Sequence, residues 1–160
     1  GGWLEDRSFL WKGSYLEKTG NFIHLGVDYN VPAGTKVFAD YDMEVVHMEN
    51  DFPLKHGWGQ MLIGYVREAN MCILYGHLSK NISWKVGEII SHGDMIGKVG
   101  DENENGFWFP HLHVQIITKE YFDEVNFINA WEEFDGYGNA TDIENLKRRY
   151  LDPLIYLKIS

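Results

Sequence analysis

Pro110-His111-Leu112-His113-Val114-Gln115-Ile116 alternates polar and apolar residues without a break after its proline. Successive side chains of a β-strand leave opposite faces, so His111, His113 and Gln115 share one face while Leu112, Val114 and Ile116 share the other. The apolar row points into a core. The polar row carries two imidazoles with Cα atoms roughly 6–7 Å apart. At that spacing both rings can serve one metal centre, or one can bind metal while the other meets a substrate. Taken alone, the H-x-H pattern is equally a solvent-facing polar stripe.

The same short period recurs outward from this stretch. Lys36–Ala39, Glu44–Met48, Met61–Tyr65, Cys72–Leu78, Ile96–Val99 and Leu112–Thr118 read as strands, separated by turn residues. Pro32-Ala33-Gly34, Gly87 and Gly93 mark tight corners, and Glu68-Ala69-Asn70 marks a hairpin loop. Many short strands with frequent turns predict a mainly β fold, an antiparallel sandwich or partly open barrel. Helix is expected only near the C-terminus. There Thr141-Asp142-Ile143-Glu144 has a capping-box pattern, Ile143, Leu146 and Tyr150 form one stripe, and Asp152-Pro153 ends the helix. Lys119–Trp131 is ambiguous: Phe122, Val125 and Ile128 recur near helical spacing, but Asn126 and Asn129 weaken the pattern. No repeat, low-complexity tract or linker divides the 160 residues, so one domain is expected over 1–160.

Composition narrows the function. Fourteen basic residues against 24 acidic give a net charge of −10, which argues against a nucleic-acid partner and gives no attraction to anionic surfaces. No apolar run approaches the roughly 18 residues that cross a bilayer, so membrane insertion is not expected. No basic-then-apolar leader opens the sequence, which weighs toward a cytoplasmic location. The single cysteine, Cys72, excludes an internal disulfide framework and a multi-cysteine zinc site. Among Met71, Ile73 and Leu74 it reads as an inert core thiol.

Seven histidines are many for this length. His24 and Asp28 stand in His24-Leu25-Gly26-Val27-Asp28, where four residues of straight strand would span roughly 13 Å, too far for two ligands of one ion. The pair works only if the chain bends between them, and Gly26 permits a bend. With His113 they then make a two-imidazole, one-carboxylate set that suits tetrahedral zinc with a fourth position open. Taken singly, His24 and Asp28 read as surface polar residues. His77 ends the run Cys72-Ile73-Leu74-Tyr75-Gly76, with Tyr75 and His77 expected on one face; such a histidine is usually a hydrogen-bonded core or edge residue. His47, His56 and His92 have no motif around them. Trp58, following Lys55-His56-Gly57, and Trp108 are candidates to flank a groove, although core packing is the commoner fate of tryptophan.

These motifs resemble those of the lysostaphin/LytM-type zinc metallopeptidases. His24-Leu25-Gly26-Val27-Asp28 with Val31-Pro32-Ala33-Gly34-Thr35 is similar to that family's first motif, Tyr75-Gly76-His77-Leu78-Ser79 to its central one, and Pro110-His111-Leu112-His113-Val114 to its last. The glycine pattern from Val86-Gly87 to Val99-Gly100 is also typical. The resemblance runs from about Ile23 to Gln115, within a motif-bearing core of about 23–118. It implies an antiparallel β fold with a narrow substrate groove. It also implies one zinc ion per chain held by His24, Asp28 and His113, with His77 and His111 acting on the catalytic water and the transition state. Gln115, on the same expected face as both histidines, is a candidate to fix a tautomer and is equally a plain surface glutamine.

Where that family is commonly Gly/Ser/Thr-rich before H-x-H, Asp101–Phe109 here reads D-E-N-E-N-G-F-W-F. With Glu5-Asp6-Arg7 and Asp152-Pro153-Leu154, this looks more like an intracellular branch. The implied activity is a zinc-dependent metalloendopeptidase acting on short, flexible, Gly/Ala-rich peptides or peptidoglycan cross-links. A non-catalytic peptide-binding or regulatory module, and a zinc hydrolase of a small cytosolic amide, are the rival expectations.

Overall fold

Short apolar runs broken by glycine and asparagine form strands β1 (Asn21–His24), β2 (Val27–Tyr29), β3 (Lys36–Phe38), β4 (Met43–Asn50), β5 (Gln60–Val66), β6 (Met71–Leu78), β7 (Ile89–Ile90), β8 (Met95–Lys98) and β9 (Leu112–Thr118). Helix α1 (Lys119–Ile128), β10 (Tyr137–Asn139), α2 (Ile143–Arg149), β11 (Tyr150–Leu151) and α3 (Pro153–Tyr156) follow. The computed structural model describes residues 1–10, 12–13, 20–50, 57–105, 108–129 and 135–157. The main sheet runs β11-β9-β6-β5-β4-β7, and β2 pairs with β9 on the edge that β11 also uses. Two small sheets, β1–β10 and β3–β8, complete the β structure. Every strand pair among the described residues is antiparallel, and no closed barrel forms among them.

Alternation assigns each side chain of the central strands to one of two cores. Val114 and Ile116 of β9, Met71, Ile73 and Tyr75 of β6, and Leu62 and Val66 of β5 face a cluster closed by Val37, Ile96 and Val99 of the β3–β8 region. Ile117, Cys72, Leu74, Met61 and Ile63 face the other way, against Ile23, Trp58, Tyr121, Phe122, Val125 and Leu146. Burying a leucine or isoleucine contributes roughly 1.5–3 kcal/mol, so a sheet covered on both faces is strongly favoured. The expected sandwich-like β architecture is present, with helices α1 and α2 added to one layer.

The hairpin loop expected at Glu68-Ala69-Asn70 joins β5 to β6, with Asn70 in the left-handed region at φ 48°. The helical regions differ from expectation. Lys119–Ile128 is a helix: Thr118 caps it, Asn126 is exposed and costs no core contact, and Asn129 ends it in left-handed backbone. Of its expected stripe, Phe122 and Val125 are buried but Ile128 is exposed. The capping box at Thr141 is not used. Asn139 accepts from the Thr141 amide instead, and the following 3-10 turn leads into α2. That helix ends at Arg149, so Tyr150 joins its cluster from a strand, and Asp152-Pro153 starts α3 rather than ending α2. Trp131 and His56 lie outside the described residues.

Candidate active site

Pairing of β2 with β9 sets Asp28 directly across from His113. His24 comes from β1, which pairs instead with β10, so the chain changes sheets between Leu25 and Gly26. The bend expected at Gly26 is there, and it needs glycine for close approach. A Cβ at Gly26 would lie 2.3 Å from the Val114 carbonyl oxygen and 2.8 Å from His113 Nε2. The result brings three donor atoms together: His24 Nε2 is 3.2 Å from His113 Nδ1 and 3.2 Å from Asp28 Oδ1, and His113 Nδ1 is 3.0 Å from that oxygen. This group can hold a metal ion.

His77 reaches the same place by a break in the strand. Leu62 pairs with Tyr75 but Gln60 pairs with Leu78, so β6 carries one extra residue here, a β-bulge. His77 takes left-handed backbone, φ 62°, which costs a non-glycine residue on the order of 1–3 kcal/mol. Tyr75 and Leu78 both join the first core, whereas the His77 ring sits 4.5 Å from His111 and 6.1 Å from His113, centroid to centroid. The expectation that Tyr75 and His77 share a face is therefore wrong, because the bulge inverts the alternation between them. His111 precedes β9, and its Nε2 lies 3.7 Å from Asp28 Oδ1. All five expected residues converge.

The outer hydrogen bonds decide which ring nitrogens carry protons. Gln115 Nε2 donates to the Asp135 carbonyl at 3.1 Å, which turns Gln115 Oε1 toward His113 Nε2 at 2.9 Å. A carbonyl oxygen only accepts, so His113 Nε2 donates and Nδ1 presents a lone pair. His24 Nδ1 donates to the Gly2 carbonyl at 3.0 Å, leaving its Nε2 lone pair facing inward. Two imidazole lone pairs and a carboxylate oxygen thus face one another, an arrangement that calls for a positive charge among them. Burial opposes ionisation of Asp28, but in the metal-free chain that positive charge is a proton taken up by the facing nitrogens of His113 or His24, and the resulting hydrogen bond and charge hold the Asp28 carboxyl well below the usual carboxylate range. Its second oxygen accepts from Arg7 Nη2 at 2.9 Å. His77 Nδ1 and His111 Nδ1 donate to the carbonyls of Asn105 and Phe109, each at 2.7 Å, so both rings offer Nε2 lone pairs. Burial, then the neighbouring His111 and His113, push the His77 imidazole down to about 3.

Sequence patterns did not reveal every participant. Arg7 also donates to the Tyr137 hydroxyl at 3.1 Å, and neither residue lies near a motif. Trp58 does not present itself to solvent: only 6% exposed, it packs against His77 and His113 with centroids at 5.5 and 5.2 Å. Trp108 is half-buried, 6.2 Å from His77. His47 stands near Glu49, and His92 is exposed beside Asp42; neither belongs to the cluster. Cys72 is buried, as expected.

The family model described as Peptidase family M23 matches residues 22–126. No curated protein matches the sequence. Similar solved structures include the catalytic domain of the antimicrobial peptidase lysostaphin from Staphylococcus simulans, at 23% identity and TM-score 0.59, covering 86% of this chain and 81% of that one. LytU aligns at 24% identity and TM-score 0.56, covering 84% and 72%. A zinc-containing peptidase from Vibrio cholerae aligns at 25% identity and TM-score 0.50, covering 61% of this chain and 28% of that one. The family match spans β1 to α1, the stretch whose strand pairing and bulge gather the five polar residues, and the chain belongs to peptidase family M23.

Proposed function

We propose that the chain is a zinc-dependent endopeptidase that binds one zinc ion through His24 Nε2, Asp28 Oδ1 and His113 Nδ1. The observation that carries this reading is the mutual spacing of those atoms, 3.0–3.2 Å. Bonds of roughly 2.0–2.1 Å in tetrahedral geometry would set ligand atoms about 3.3 Å apart. Arg7 on Asp28 Oδ2 leaves a single oxygen for the ion, and Gln115 and the Gly2 carbonyl hold both ligand rings in the needed tautomer.

Bound zinc supplies Lewis acidity, polarising the scissile carbonyl and acidifying water. The chain's own residues handle the protons. His77 and His111 share the acid–base work through their Nε2 atoms. One accepts the proton of the attacking water at Nε2, and once protonated it stabilises developing negative charge, with the pair returning that proton to the leaving amine nitrogen. Trp58 against His77 and His113 excludes water from one side of the rings. The substrate class we infer is short, flexible peptide rich in Gly or Ala, or peptidoglycan cross-links of that kind. Family membership and the lysostaphin-like fold support a peptide substrate. The net charge of −10 favours free peptides over anionic wall polymers.

Elemental analysis should find about one zinc per chain, lost in His113→Ala and Asp28→Ala but kept in His77→Ala. Turnover of short Gly-rich peptides, followed by mass spectrometry, should fall about 10²-fold or more in His77→Ala and in His111→Ala. Full zinc in the His113 variant would reject the ligand set. Rapid release of peptides from intact sacculi with free peptides untouched would reject the substrate class.

A further inference from the structure

Asn105 has no exposed surface, although it lies in the acidic stretch that precedes H-x-H. Both ends of its side-chain amide are engaged with the backbone of Trp108. Oδ1 accepts from the Trp108 amide at 2.9 Å, and Nδ2 donates to the Trp108 carbonyl at 3.0 Å. Nδ2 also reaches the Gly100 carbonyl at 3.4 Å. Its own amide donates to the Asp101 carbonyl at 3.0 Å, so the turn from Asp101 is tied at both ends. A two-point amide clasp of this kind substitutes for a strand pairing where the chain has none.

The packing around it is equally specific. Gly59, at φ 66°, lies so close that a Cβ there would meet the Glu104 carbonyl oxygen at 2.3 Å and Asn105 Cα at 2.8 Å. A Cβ on Gly100 would meet the Leu78 carbonyl oxygen at 3.0 Å. These glycines let the turn settle directly onto the end of β6, beside the bulge. There the Asn105 carbonyl accepts from His77 Nδ1, and one residue past Trp108 the Phe109 carbonyl accepts from His111 Nδ1.

We propose that Asn105 is the positioning residue that holds both His77 and His111 in the Nδ1–H tautomer, by clasping Trp108 and so fixing the two carbonyls that receive their protons. The proposal rests on the acid–base reading of His77 and His111. It explains why an asparagine is buried in an otherwise acidic, exposed turn: one side chain sets the separation between two backbone acceptors, and each acceptor orients one ring. Without the clasp, each imidazole is free to place its proton on Nε2, which removes the lone pair that accepts a proton.

The test uses zinc-loaded protein with 15N-labelled histidine, comparing Asn105→Ala and Asn105→Asp with the wild type. Imidazole 15N spectra of the wild type should show His77 and His111 protonated at Nδ1 only. In Asn105→Ala both should become mixtures of tautomers, with zinc content and KM held and kcat lowered roughly 10- to 100-fold. Asn105→Asp keeps the acceptor for the Trp108 amide and loses the donor, so it should fall between; it also serves if the alanine variant does not fold. Pure Nδ1–H tautomers in either folded variant would overturn the proposal, as would loss of zinc in step with activity. His77→Ala and His111→Ala are assayed alongside. If they keep wild-type turnover the acid–base reading fails, while the tautomer spectra still decide whether Asn105 positions the rings.

Discussion

Gly76 lies directly across the β6–β9 ladder from His113. A Cβ built on it would fall 2.6 Å from the ring of Trp58 and 3.7 Å from His113 Cβ. Trp58 can therefore cover the site only because β6 has no side chain there. Gly26 does the same work on the opposite flank, where a Cβ would strike the Val114 carbonyl.

Gly76→Ala and Gly26→Ala should each destabilise the protein by about 1–3 kcal/mol through overpacking. The Gly26 variant should lose more metal affinity, because the obstructing atoms are backbone and the ring of His113, which cannot swing away without leaving the site. Urea denaturation of the metal-free forms with zinc titration checks both. Equal zinc affinity in wild type and Gly26→Ala would refute the close-approach argument.

Arg7 holds Asp28 Oδ2 at 2.9 Å, and both side chains are 11% exposed. Arg7→Gln removes the charge that restrains the carboxylate, and zinc affinity should drop roughly 10- to 100-fold. Arg7→Lys should recover only part of the loss, since a point charge cannot also reach Tyr137 and Glu5 in one plane. Competition with a zinc-chelating dye measures this, and unchanged affinity in Arg7→Gln would sink it.

Acid sensitivity follows from His77. Its folded-state pKa is about 3 against 6.5 for an ordinary imidazole, so the unfolded chain binds the proton more readily. Stability of the metal-free protein should therefore be greatest above about pH 6.5 and decline as pH falls toward 3, at up to roughly 1.4 kcal/mol per pH unit for this group. His111, lowered mainly by burial, adds to the decline in the same direction. Asp28 adds to the decline as pH falls through the ordinary aspartate value of 3.8, where the unfolded carboxyl binds a proton that the folded one, with its lowered pKa, does not. His77→Asn, which tolerates left-handed backbone, should flatten the upper part of the curve. An unaltered slope in that variant would place the acid sensitivity elsewhere.

Cys72 is fully buried, and burial pushes its thiol up to about 12. A disulfide-exchange reagent at mildly alkaline pH should leave it untouched in the native protein and label it on unfolding. Prompt labelling of the native form would contradict the packing of β6.

Long strands were legible because each is a run of seven or eight residues bounded by turn residues, alternating in β9 and almost continuously apolar in β5 and β6, which are buried on both faces. The expected Leu112–Thr118 coincides with β9, and the expectations for β5 and β6 fall within one residue of the observed ends. Strands β1, β2, β7, β10 and β11 have two to four residues, too few to alternate, and depend on partners distant in the chain. The resemblance located all five clustered residues by number, but the face of His77 was misread, since nothing in Tyr75-Gly76-His77 announces an extra residue. Arg7 and Asn105 stood in stretches noted only as departures from the family pattern, and Tyr137 was not noted; no spacing linked any of them to the site, because each reaches it by tertiary approach.

The bulge in β6 makes the chain vulnerable to a change in length rather than in chemistry. Loss of the single codon for His77 would leave Tyr75 and Leu78 two apart, so both would still fall in the same core and the ladder with β5 would run without interruption. The shortened strand would shed its left-handed residue, and His24, Asp28 and His113 would keep their places. A three-nucleotide deletion would thus remove one of the five clustered side chains while leaving the fold and the His24, Asp28 and His113 group in place, a loss that a measure of folding at neutral pH would not report as damage.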